Sequence, residues 1–97
     1  MRLVFHPEIY SDVDKIMEYY ERTATPELAD EFYAELRRFL KEAAERPESF
    51  SIREHNIRRV NLQRFPYHFL FRIVGDSVRI LVVRHHGSHP SLGVRRR

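Results

Sequence analysis

Beyond residue 50 every basic side chain is an arginine, ten in all against two acids, and His68, His85, His86 and His89 lie among them. Arginine presents a fixed fork of donors that matches phosphate and carboxylate oxygens. Histidine exchanges a proton near neutral pH and so suits general acid–base work. His68 and His85 could therefore move protons, and the arginines around them could hold a phosphate. Residues 1–50 show the opposite balance, seven Lys/Arg against twelve Asp/Glu, a net of −5 where residues 51–97 carry a net of +8. A molecule divided this way points to an anionic partner on its basic side. His86 and His89 have helical metal-ligand spacing, but no Cys or acid follows to complete a set, and His85 and His86 alternate faces on a strand. Neither a metal nor a cofactor is expected.

A chain of 97 residues is enough for one domain, expected to span 1–97, and its core must stand without disulfides because Cys is absent. That absence suits a reducing cytoplasm. The start, MRLVFHPE, turns polar too early for a secretory segment, and no apolar run is long enough for a membrane. The expected location is cytoplasmic.

The elements that must position the basic residues follow from periodicity. MRLVF reads as a short strand, ended by His6-Pro7. Ile9, Val13, Ile16, Met17 and Tyr20 form the apolar stripe of a first helix. Thr25-Pro26 is a second helix start, with Thr25 as N-cap and Pro26 in the first turn. Its stripe is Leu28, Phe32, Leu36, Phe39, Leu40 and Ala43, with Glu31, Glu35, Arg38, Lys41, Glu42 and Glu45 on the solvent side, and Pro47 stops it. From Asn56 the period becomes two, predicting strands over 57–64, 67–74 and 77–85, with Gly75-Asp76 as a two-residue hairpin loop. The expected fold is α+β: an N-terminal strand, a two-helix hairpin, then a three-stranded antiparallel meander.

The hairpin loop sets a register. If Val74 faces Ser77, then Ile73, Phe71 and Phe69 face Val78, Ile80 and Val82 and form the side that covers the helices. The other side then pairs Arg72 with Arg79, Leu70 with Leu81 and His68 with Val83, with His85 beyond. Two arginines placed opposite each other repel, so stability alone does not explain this face. Arg72, Arg79, Leu70, Leu81 and His89 are the residues expected to meet an acidic or amphipathic partner.

Several stretches resemble the RelE/ParE superfamily of type II toxins, a resemblance that implies roles in plasmid stabilisation and growth arrest. Arg59-Val60-Asn61-Leu62 and Phe65-Pro66-Tyr67-His68-Phe69-Leu70-Phe71-Arg72-Ile73 are similar to its middle strands. Gly75 to Ile80, Leu81, Val83 and His85 are similar to its last hairpin, and His89-Pro90 with Arg95 to its ending. The resemblance implies a toxin held inactive by a cognate antitoxin, whose acidic or amphipathic segment would lie over sheet and helices. A homodimer, or a heterotetramer with the antitoxin, would also fit. It leaves two targets: DNA gyrase for ParE-like members, and mRNA on the ribosome for RelE-like endoribonucleases. For the nuclease, Arg59 matches a basic residue of the second strand. However, Asn61 and His68 stand where further cations are expected, Gly87-Ser88 replaces a basic pair, and no tail Tyr follows. His68, His85 and His89, with Arg84 and Arg95–Arg97, are the residues that could compensate. The balance leans to gyrase or replication. Ribosome-dependent mRNA cleavage is the rival, and a non-toxic nucleic-acid-binding module is a third reading.

Overall fold

A computed structural model describes residues 1–97. Strand β1 (Arg2–Phe5) leads into helices α1 (Ile9–Thr23) and α2 (Pro26–Glu45), followed by a 3-10 turn and strands β2 (Ile52–Glu54), β3 (Ile57–Asn61), β4 (Tyr67–Val74) and β5 (Ser77–His85). The sheet order is β1-β5-β4-β3-β2, with β1 parallel to β5 and the other pairs antiparallel. The helix hairpin covers one side of this sheet.

Local chemistry accounts for most boundaries. Thr25 Oγ1 accepts the Leu28 amide at 3.0 Å, so α2 begins where the threonine–proline pair requires. Pro47 has no N–H to continue the helix, and α2 ends at Glu45. Gly75 takes φ +59, which the two-residue turn needs. The apolar stripes of both helices meet the inner sheet face in a cluster that includes Phe32, Leu36, Phe69, Phe71 and Ile80. Phe32 sits edge-on to Phe65 and Tyr67, with ring centroids 5.6 and 5.4 Å apart. Each such ring contributes roughly 1.5–3 kcal/mol by leaving water.

Four expectations are corrected. The sheet has two strands more than the meander, because β1 joins it and the short β2 pairs with β3 through His55-Asn56, both at positive φ. β3 ends at Asn61 rather than Arg64. The amides of Gln63 and Arg64 are taken instead by Glu35 Oε2, each at 3.0 Å. Glu35 is thus a buried cap for the β3–β4 loop and not a solvent-side charge.

The fourth correction decides the site. The β4–β5 register runs as expected from Val74/Ser77 to Phe71/Ile80, then slips, so that Leu70 faces Val82, Phe69 faces Val83, His68 faces Arg84 and Tyr67 faces His85. The extra residue, Leu81, is a β-bulge, and a slip of one residue exchanges the faces of everything beyond it. Val83 therefore joins the core and His85 packs edge-on against Tyr67 at 5.2 Å on the helix side. Arg84 and His86 take the places beside His68.

Candidate functional site

The outer face of the sheet divides into an apolar patch, a hydrogen-bonded polar network and a row of arginines. Ile57, Leu70, Leu81 and Val82 form the patch, and Val94 of the C-terminal segment packs on it. Leu70 and Leu81, expected to meet a partner, lie buried beneath that segment. Gly93 permits the crossing: its φ is +80, and an added Cβ would stand 2.4 Å from Val82 Cβ.

Two arginines fasten the segment. Arg84 Nη1 donates to the carbonyls of Pro90 at 2.9 Å and Leu92 at 2.7 Å. Arg96 reaches α1, with Nη1 at 2.7 Å from Asp12 Oδ2, and also donates to the Leu81 carbonyl at 3.2 Å. The same Asp12 oxygen accepts the Val83 amide at 3.1 Å. β1 makes its last bond to β5 from His6 N to the Ile80 carbonyl, so Asp12 and Arg96 serve β5 backbone groups that β1 does not reach.

The polar network has a fixed direction. Arg84 Nε donates to His68 Nε2 at 2.9 Å, so that nitrogen must accept and a neutral His68 carries its proton on Nδ1. His68 Nδ1 lies 2.9 Å from His86 Nδ1, which must then be the acceptor. Arg59 Nη2 approaches the same His86 nitrogen at 3.3 Å, while Arg59 Nε donates to Asn61 Oδ1 at 2.8 Å. Protonating His68 would put a hydrogen in the line of the Arg84 donor. His68 is 1% exposed, and its pKa is pushed down to about 3 by burial first, then by Arg59, Arg84 and the neighbouring histidines. Burial and Arg59 also lower His86. The Arg59 guanidinium lies below its ordinary value through burial and Arg53, and Arg84 through burial and Arg59.

Of the residues expected to do acid–base chemistry, the structure brings Arg59 and His68 into one network and sends His85 to the other side of the sheet. His85 Nδ1 accepts the Gly87 amide at 2.8 Å, which leaves its Nε2 edge open. His89 is exposed and ties its own turn, accepting the Ser91 amide at 3.1 Å. Arg72 and Arg79 face one another across β4–β5 as expected. The residues that sequence reasoning missed are Arg84 as a strap anchor, His86, Asp12, Glu35 and Arg96. Once the bulge is allowed for, strand alternation would have found Arg84 and His86. No three His, Cys, Asp or Glu side chains converge into a metal-binding group, and no helix is long and apolar enough to cross a membrane.

A second surface lies on the helix side. Between β1, α1 and α2 runs a groove of about 1250 Å³, its mouth flanked by Met1, Phe5, Tyr10 and Tyr33, with Arg37 and Lys41 at the rim. Those four apolar side chains are exposed, Tyr10 at 68%. Contiguous exposed aromatics of this kind mark an interaction surface.

Comparison with known proteins gives a consistent picture. The family described as the ParE toxin of type II toxin-antitoxin system, parDE, matches residues 3–90. Among solved structures the chain is similar to one titled "Chromosomal ParDE TA system from P. aeruginosa", at a TM-score of 0.79 and 23% identity, covering 88% of this chain and 95% of that one. At that identity the likeness speaks for the fold. No curated protein sequence matches.

Proposed function

The chain belongs to the ParE toxin family of type II toxin–antitoxin systems, and from that premise we propose that it arrests growth by inhibiting DNA gyrase rather than by cutting mRNA. The observation that carries the choice is the state of His68. A nuclease of this architecture needs a proton donor or acceptor poised near neutral pH beside the phosphate. His68 is buried, accepts from Arg84, and titrates near 3, so around pH 7 it neither donates as an acid nor offers a free lone pair. Arg84 spends Nε on His68 and Nη1 on tail carbonyls, which leaves only Nη2 for a phosphate. The remaining candidates, Arg59 and His85, lie on opposite sides of the sheet.

The antitoxin binds the helix-side groove in this reading. Its neutralising segment is amphipathic and acidic: an apolar stripe fills the cleft between Phe5, Tyr10 and Tyr33, and acids meet Arg37 and Lys41. The outer sheet face offers less apolar surface, since Leu70 and Leu81 are already covered and Val74 stands alone.

Induced expression with two separate readouts tests the target. Plasmid supercoiling is expected to be lost within the period of arrest while transcripts stay intact. Rapid transcript cleavage on translating ribosomes, abolished by His68→Ala or His85→Ala, would establish the nuclease instead.

A further inference from the structure

We infer that the outer sheet face carries a phosphate clamp, centred on Arg72 and Arg79, through which the protein holds a nucleic-acid backbone. The clamp goes beyond the choice of target and would serve either one.

The only side-chain nitrogens or oxygens in the protein that are buried and without a hydrogen-bond partner are Arg72 Nε and Arg79 Nε. They belong to Cα partners on adjacent strands, so two desolvated cationic N–H groups sit side by side with no acceptor. Like charges opposite each other weaken a strand pair, and an unmet buried donor weakens it further. Neither residue makes a salt bridge. All five ion pairs draw their acids from the helical side, Glu8, Asp12, Glu31, Glu35 and Glu42. Both arginines remain partly exposed although their Nε atoms are buried, so an oxyanion meets the guanidinium ends first and takes the Nε donors as the side chains turn outward.

The pair extends into a row. Arg2 on β1 is the partner of Ser77, two residues from Arg79, and lies on the outer face by alternation with Leu3, which packs into the core. Arg59 on β3 is the partner of Leu70, two residues from Arg72. One acid-free arginine thus stands on each of four successive strands, β1, β5, β4 and β3, at roughly 4.8 Å per strand. A ligand with repeating anions matches a row of cations better than a single carboxylate does. Most of the apolar part of this face is taken by Val94, and the Val4 and Val74 side chains left beside the arginines are too small a surface to seat the apolar side of an amphipathic peptide. A phosphodiester backbone needs only the cations.

Fluorescence anisotropy with labelled single-stranded DNA, single-stranded RNA and duplex DNA, using the purified full chain, tests this. Arg72→Gln with Arg79→Gln should weaken binding at least about tenfold at about 50 mM salt and flatten the salt slope by nearly 2, the value for two phosphate contacts. Arg37→Gln with Lys41→Gln removes the same charge from the groove rim and should change affinity by less than about twofold. Arg72→Lys with Arg79→Lys keeps the charge but loses the Nε edge, and should recover only part of the affinity. The glutamine pair should melt no lower than the parent protein, because it relieves a repulsion. No binding of any of the three probes at low salt would overturn the clamp. So would equal loss in the groove variant or full recovery with lysine.

Discussion

One sheet is covered in two different ways. Its inner face is closed by apolar packing, where Phe32, Phe69, Phe71 and Ile80 are fully buried against two amphipathic helices. Its outer face carries a cluster of only four buried residues, and the segment over it brings a single apolar side chain and is otherwise fastened by Arg84 and Arg96. Apolar packing is non-directional and large, while arginine–carbonyl bonds are directional and exchange easily for water. The inner face therefore sets stability, and the outer face is free to be shaped by what it must touch.

The largest effect should come from breaking the inner face. Phe69→Ala leaves a cavity in the aromatic core and should cost about 3–5 kcal/mol in urea unfolding, enough to unfold much of the population. A loss as small as that from a surface change would mean the two faces are not so different.

Next comes the strap. Gly93→Ala puts a methyl against Val82 and forces a side chain into φ +80, so the segment must lift. We expect about 1–3 kcal/mol, with faster proteolysis after residue 86 and an unchanged inner core by hydrogen exchange. Unaltered proteolysis would show that the segment is not held there.

Acid should reach the outer face through His68. The folded pKa of His68, about 3, lies below its ordinary value near 6.5, so the unfolded chain binds the extra proton. Stability is then whole above about pH 6.5 and falls as pH drops towards 3, by up to about 1.4 kcal/mol per unit from this group. His68→Gln should flatten the pH 5 to 7 limb of a urea-midpoint profile; an identical slope in the variant would place the titration elsewhere.

The smallest effect has the opposite sign. Arg72→Gln alone should stabilise by about 0.2–1 kcal/mol, because it ends a like-charge pair across the strands. Destabilisation would mean that the pair is held by contacts other than the ones described.

What sequence disclosed and what it hid divide along a physical line. The bounds of β4 and β5 and the start of α2 were legible to the residue, since Gly75-Asp76 and Thr25-Pro26 are local devices whose conformations are set by the residues themselves. The bulge at Leu81 was not, because a continuous run of Ile80, Leu81, Val82 and Val83 alternates with nothing and hides which residue is extra. From that one slip followed the misplacement of His85 and Val83 and the missed roles of Arg84 and His86. Glu35 and Asp12 were illegible for a different reason: each meets backbone amides far along the chain, Gln63 and Val83, which no local pattern announces. The basic half itself was visible in composition, since charge needs no register, and the Gly75-Asp76 hairpin put Arg72 and Arg79 on its outer face.

Neutralisation is proposed at the helix groove and attack at the sheet face, and colony formation with and without the co-expressed antitoxin tests that separation most directly. Tyr10→Glu with Tyr33→Glu should kill even when the antitoxin is present, because the groove no longer accepts it. Arg72→Gln with Arg79→Gln should be harmless even without antitoxin, although it still binds the antitoxin. A groove variant that the antitoxin rescues fully, together with a stable face variant that still arrests growth, would contradict the account.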